Sequence, residues 1–192
     1  IQKIEMLEND DLAPLVDQEA LKEFRSRALS PEHPVARGMA ENPDTFFTHR
    51  ESCNNYYDAV PAIVEDYMNK VSEITGRKYG LFSYYGAADA ERVIIAMGSV
   101  TEAIRETIDH LTAQGEKVGL VAVHLYRPFS IEHFMGAIPQ SVKRIAVLDR
   151  TKEPGAFGEP LYLDVRAAFY ASDRKPMIIG GRYGLGSKDL LP

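Results

Sequence analysis

The chain reads as an α/β protein: three layers, a mostly parallel sheet between helices, preceded by a helical segment. Three observations carry this. Four short apolar runs, Arg92–Met97, Val118–Leu125, Arg144–Leu148 and Met177–Ile179, have strand length and strand composition. Helix-length segments separate them, and such alternation gives right-handed βαβ units with helices on both sheet faces. Residues 17–28 and 56–74, in contrast, carry helical spacing.

Taken in order, residues 1–16 alternate short apolar runs with acids, as expected of a tail or linker arriving from a preceding domain. The opening Ile1-Gln2-Lys3 is read as an internal point of a longer protein. Asp17 can cap a helix through Ala28, with Leu21, Phe24 and Ala28 on one face. Residues 35–54 read as irregular, with Asn42-Pro43-Asp44 a turn or helix start and Phe46 and Phe47 pinning the segment to the core. His49 has no catalytic spacing around it. A long helix follows, with Tyr56, Val60, Ile63, Tyr67, Val71 and Ile74 at helical spacing. Asp58 is its expected N-cap, which leaves Pro61 in the first turn, and Gly76 its C-cap. Residues 17–79 thus form a helical segment expected to pack on the core. Residues 79–85 could be an extended edge.

The α/β domain proper is expected over residues 80–182. A helix runs from Val100 to Ala113 behind a cap at Ser99 or Thr101, Ser130 starts a short helix with Phe134 turned inward, and Pro160–Tyr170 buries Leu161, Val165, Ala168 and Phe169. Residues 183–192 read as an exit linker.

Composition excludes several functions. The 192 residues carry 22 basic and 28 acidic side chains, a net charge of −6, with no basic stripe for nucleic acid. No apolar run approaches the ~18 residues of a membrane span. The one cysteine, Cys53, allows neither an internal disulfide nor a cysteine-ligated cluster within the chain, and fits a reducing, cytoplasmic setting.

Two junctions could hold an anion. Gly98, Ser99 and Thr101 lie where a strand turns into a helix, whose first amides attract negative charge, but the dinucleotide glycine pattern is missing. Gly181 and Gly186 have phosphate-loop spacing, but Ser187 and Lys188 stand in reversed order. No catalytic triad, nucleophile elbow or zinc motif is present, and His110 and His124 are isolated. The stretch Leu148–Asp164, LDRTKEPGAFGEPLYLD, concentrates the remaining chemistry at a strand end, where ligands and partners meet α/β sheets. Asp149 and Glu153 could pair as carboxylates, though Arg150 and Lys152 beside them would neutralise them. In the plainest reading the glycines and prolines shape a turn and the charges are solvated.

The runs Leu148–Ala156 and Gly158–Tyr162 resemble pyruvate:ferredoxin (flavodoxin) oxidoreductase, as do Leu125–Phe129, Asn42–Asp44, Tyr56–Pro61, Thr75–Arg77 and Gly180–Ser187. The resemblance spans the whole chain. It implies a domain similar to the C-terminal domain of transketolase, second in a large multidomain homodimer. It implies an enzyme that converts pyruvate and coenzyme A to acetyl-CoA, carbon dioxide and two electrons, using thiamine diphosphate, magnesium and iron–sulfur clusters, with ferredoxin or flavodoxin as acceptor. It implies no catalytic residue and no cofactor within this chain, which has no Gly-Asp pair for a magnesium–diphosphate site. On this reading Arg150, Lys152, Glu153, Gly155 and Gly158 belong to an interdomain or dimer contact, and the isolated chain is inert. The alternatives are a small module binding an anion or part of coenzyme A, and the same domain of another 2-oxoacid oxidoreductase.

Overall fold

The computed structural model describes residues 4, 6–35, 38, 40–186 and 190–192. The chain divides into two compact units, Ile1–Lys78 and Tyr79–Pro192.

The first unit is helical. A four-residue helix, α1 (Asn9–Leu12), is followed by a 3-10 turn, Ala13–Leu15. Helix α2 (Gln18–Ser26) starts where expected: Asp17 is its N-cap and its Oδ1 accepts from the Ala20 amide at 2.9 Å. The expectation of irregular chain over 35–54 is corrected, because α3 (Pro43–Ser52) occupies it. Pro43 sits in the first turn, where its missing N–H costs nothing, and extended Asn42 precedes it.

Helix α4 (Asn54–Thr75) corrects a second expectation. It begins four residues before Asp58, on the carbonyl of Cys53, which accepts from the amides of Tyr56 and Tyr57. Pro61 therefore lies inside the helix. Gly76 closes it at φ +69°, its amide donating to the Ser72 carbonyl at 2.9 Å. The half-covered side of α4 carries Val60, Val64, Met68 and Val71, while Tyr56, Ile63, Tyr67 and Ile74 are exposed. Phe46 and Phe47 are also exposed. Among the described residues of this unit none is buried.

The second unit is the α/β layer structure. Five strands, β1 (Phe82–Gly86), β2 (Arg92–Met97), β3 (Val118–Val123), β4 (Arg144–Asp149) and β5 (Met177–Arg182), form one sheet in the order β1-β3-β2-β4-β5. Strands β2 to β5 are parallel and β1 is an antiparallel edge paired Phe82↔Val123 to Gly86↔Gly119. Three helices connect the parallel strands: α5 (Val100–Ala113), α6 (Ile131–Ala137) and α7 (Pro160–Tyr170). The strand order makes the first crossover run one way and the next two the other. Right-handedness then puts α5 on one face and α6 and α7 on the opposite face.

Side-chain parity agrees with this layering. Ala96, Leu120 and Ala122 pack under Val100, Ile104 and Ile108 of α5. On the other face Phe134 of α6 has edge contacts with Phe82, at 5.4 Å between ring centres, and with Phe169 of α7, at 6.1 Å, while Phe129 tilts against it at 5.1 Å. Every residue of β3 is buried, as a parallel strand covered on both faces requires.

Phe134→Ala should cost about 3–5 kcal/mol, because the four-ring cluster cannot close over the void. Urea unfolding followed by tyrosine fluorescence of the α/β unit measures the loss, which a variant within ~0.5 kcal/mol of the parent would contradict.

Candidate functional site

The strand order reverses between β2 and β4. Their crossovers leave in opposite directions, so the loops part and open a crevice beyond their carboxyl ends. A cleft of about 350 Å³ lies there, lined by Met97, Gly98 and Ser99 after β2, Tyr126 after β3, Asp149, Arg150 and Thr151 at the end of β4, and Pro160 and Tyr183. Two stretches 50 residues apart in sequence, each noted for its chemistry, thus face one another.

Two buried carboxylates organise this end of the sheet. Asp149, 4% exposed, ends β4. Its Oδ1 accepts from the Leu161 amide at 3.0 Å and its Oδ2 from the Tyr162 amide at 3.1 Å, so it caps α7 from a neighbouring strand. Glu159, 3% exposed, holds the N-cap position of α7 but does not cap it. Its Oε2 accepts from the Glu153 amide at 2.8 Å, and its Oε1 is paired with Arg182 at the end of β5. Neither a carboxylate pair of Asp149 with Glu153 nor their neutralisation by Arg150 and Lys152 is what forms here. Asp149 turns to helix amides, and Lys152 donates to the Glu153 carbonyl at 3.2 Å. Glu159 escaped the sequence reading. Its signal was a Glu directly before a helix-starting Pro, but the partner that defines it lies 23 residues away.

The electrostatics of the two acids differ. Burial pushes the Asp149 carboxyl above the usual aspartate range, against the pull of its two amide donors. Burial acts upward on Glu159 as well, but the Arg182 guanidinium and the Glu153 amide outweigh it and hold the group below the usual glutamate range. Tyr126 is pushed up to about 12 by burial and by its hydrogen bond to Asp164, so its hydroxyl stays a neutral donor. Arg127 pairs with Asp164 of α7 at 2.8 Å and stacks on the Tyr126 ring at 3.9 Å.

Of the anion candidates, Gly98 (φ +79°) and Ser99 line the cleft. Thr101 does not: it is buried, and its amide and hydroxyl both donate to the Gly98 carbonyl, at 3.1 and 2.8 Å. Neither Ser99 nor Thr101 caps α5 with its side chain. Ser187 and Lys188 of the phosphate-loop-like run lie outside the described residues. Among the interface candidates, Arg150 lines the cleft and lies against Gly184, while Lys152 and Glu153 stand exposed on the loop. Gly155 turns the chain at φ +80°, and Gly158 lies so close to the Tyr162 ring that a Cβ there would sit 2.1 Å from it. Between them Phe157 projects wholly into solvent, at 105% exposure. His124 lies exposed at the end of β3, and His110 bonds Gln114 at 2.7 Å.

The described residues contain no cluster of three or more His, Cys, Asp or Glu that could hold a metal. Both buried acids are committed to protein partners. Within residues 4–69 no described side chain is buried, so none there forms an enclosed polar pocket. These residues do not by themselves fit a thiamine diphosphate–magnesium site or an iron–sulfur cluster.

Fold and site together define a three-layer α/β domain with a cleft at the carboxyl ends of its strands. The chain belongs to the pyruvate:ferredoxin (flavodoxin) oxidoreductase family. Residues 90–191 match the family model for pyruvate:ferredoxin oxidoreductase core domain II, and residues 1–69 that for the pyruvate flavodoxin/ferredoxin oxidoreductase thiamine-diphosphate-binding domain. The chain is 62% identical along its whole length to a pyruvate-flavodoxin oxidoreductase of Enterobacter agglomerans, and 56% identical to a pyruvate:ferredoxin oxidoreductase of Moorella thermoacetica. It spans 16% of the length of each. A 2-oxoglutarate:ferredoxin oxidoreductase from Magnetococcus marinus, solved with 2-oxoglutarate, coenzyme A and succinyl-CoA bound, aligns over 82% of this chain and 26% of its own, with TM-score 0.44 and 21% identity. No helix among the described residues is long and apolar enough to cross a membrane.

Glu159 gives a pH prediction. Its folded-state pKa lies below the unfolded value, so its contribution to stability is full above the unfolded glutamate pKa of ~4.3 and is lost as pH falls through the folded one. Asp149, shifted upward, works in the opposite sense: its contribution is full below its unfolded pKa and declines as pH rises through the folded one. Denaturant midpoints of parent and Glu159→Gln between pH 3 and 7 should converge at the acid end and separate toward neutrality. Parallel curves would sink this assignment.

Proposed function

We propose that this chain is an assembly domain of a thiamine-diphosphate-dependent pyruvate:ferredoxin or flavodoxin oxidoreductase. The whole enzyme converts pyruvate and coenzyme A to acetyl-CoA, carbon dioxide, two electrons and a proton. Thiamine diphosphate, magnesium and the iron–sulfur clusters are held by its other parts, ferredoxin or flavodoxin takes the electrons, and the working unit is a cytoplasmic homodimer. Residues 1–16 form the tail of a preceding domain, residues 17–79 a helical segment, 80–182 the α/β domain and 183–192 its exit linker.

One observation carries the reading. Phe157 is fully exposed on a loop that does not hang free, because Glu159 ties the loop amide of Glu153 while binding Arg182 of β5. An exposed aromatic ring on a tethered loop gains the burial of its surface on docking, and the tether reduces the backbone entropy lost. Arg150 and Lys152 flank it with positive charge that steers and registers a partner surface. Arg150, Lys152, Glu153, Gly155 and Gly158 thus act as a contact built on Phe157, and the isolated chain turns over nothing.

A second reading rests on the cleft. Gly98, Ser99 and Arg150 converge there, and an anionic group, such as part of coenzyme A, would meet a guanidinium and the start of α5 together. Titrating coenzyme A into the labelled chain distinguishes the two. Amide shifts at Gly98, Ser99 and Arg150 favour the second reading, and silence at millimolar ligand favours the first.

Phe157→Ala, Arg150→Ala and Lys152→Ala combined should leave the unfolding midpoint of the 192-residue chain unchanged, and weaken docking in the full enzyme by about tenfold or more. Pyruvate-dependent dye reduction and sedimentation of the full enzyme are the measurements. Full activity and unaltered sedimentation in the triple variant would refute the contact.

A further inference from the structure

The two faces of the sheet are covered unequally. Within the Tyr79–Pro192 unit, helices α6 and α7 lie on one face and, among the described residues, α5 on the other, over β3 and its neighbours β1 and β2. On that same face β4 and β5 turn outward. Parallel register aligns Arg144 with Met177 and Ala146 with Ile179. Met177 and Ile179 are 64% and 58% exposed, unusual for apolar residues of a parallel strand. With Ile94 of β2 and Thr107 and Leu111 of α5 they line a groove of about 290 Å³ whose exposed wall is almost wholly apolar.

The dimensions identify what fits. Strands lie ~4.8 Å apart and packed helices ~10 Å apart, so a helix beside α5 sits two strands over. Two strands from β3 is β4. Ala146 lies at the centre of that position, small enough for close approach, with Ile94 and Ile179 on either side. A helix of roughly 13 residues spans the ~20 Å of a six-residue strand.

Charge sets its direction. The groove ends at the amino ends of β2 and β4. The basic groups at this end are Arg92, Lys117, Lys143 and Arg144. The first three are paired with Glu116, Asp89 and Glu91 respectively. The Arg144 guanidinium has no described ion pair or hydrogen bond, while its backbone amide donates to the Glu91 carbonyl at 3.0 Å. A helix running antiparallel to the strands, as α5 does, would place its carboxyl end, with partial negative charge, at Arg144. A second copy of the chain fits less well, because a two-fold contact opposes like surface to like and a groove does not fill a groove.

We propose that this groove is the seat of one amphipathic α-helix, supplied by the polypeptide beyond these 192 residues and lying antiparallel to β4 with its carboxyl end at Arg144. The chain spans 16% of its relatives' length, which leaves ample chain to provide it. This rests on the chain being one component of a larger enzyme, but not on the Phe157 contact, and its test reads no turnover.

Met177 reports occupancy, because methionine oxidation follows exposure. Hydroxyl-radical footprinting with mass spectrometry compares the 192-residue chain with a polypeptide of the relatives' full length. Met177 should oxidise freely in the former and about tenfold or more slowly in the latter. Arg144→Glu in the longer polypeptide should restore oxidation, and Arg144→Lys should not. Equal oxidation in both proteins overturns the proposal. So does protection of Met177 within the 192-residue chain that grows with concentration, which would mean a second copy. An Arg144→Glu protein as protected as the parent overturns the orientation.

Discussion

Asp149 holds the functional end of this domain together. A parallel strand must deliver its chain to a helix on the sheet face, and the helix begins with amides that have no partners of their own. Here the strand's last carboxylate meets those amides directly, at 3.0 and 3.1 Å. The eleven residues between are therefore free of the usual duty of capping. Glu159, standing where a cap is expected, turns instead to Glu153 and Arg182. One substitution of roles thus yields both a fixed helix and a fixed loop. The cost is two buried acids, offset by donors placed around each.

That arrangement explains why the loop can present an aromatic ring to water without losing its shape. Phe134 and Phe157 are the same residue type with opposite fates. The first is enclosed by three other rings, and the second touches solvent on every side. Exposed apolar groups recur on the open sheet face and along α4. Contiguous exposed apolar surface is the kind that proteins cover by contact with another part or partner. The family relationship, and the small share of the relatives' length that the chain spans, accord with that physical picture.

The glycines at this end act by clearance as much as by conformation. Gly158 admits the Tyr162 ring, and Gly180 and Gly184 lie against Tyr162 and Arg150. Along the run that looks like a phosphate loop, Gly181 lies against Leu148 and Gly184 against Arg150, while Gly186 has open space around it. The run's resemblance to a nucleotide motif is one of spacing.

Much was legible in the sequence because it depends on neighbours along the chain. The alternation of apolar runs and helices determined the α/β class. Asp17 and Gly76 marked helix ends through contacts three or four residues away, and the helical period assigned Leu161, Val165, Ala168 and Phe169 to the core. Local reading failed where a boundary had no local stop: Asp58 looked like a cap only because the continuity of α4 through Pro61 was not visible. Tertiary structure alone decided the strand order, the cleft between Gly98 and Arg150, the partners of Asp149 and Glu159, and which phenylalanines are covered. The physical reason is range. Hydrogen bonds spanning 12 or 23 residues, and the choice of which strand lies beside β2, are set by how whole layers pack, and no pattern within a ten-residue window encodes that.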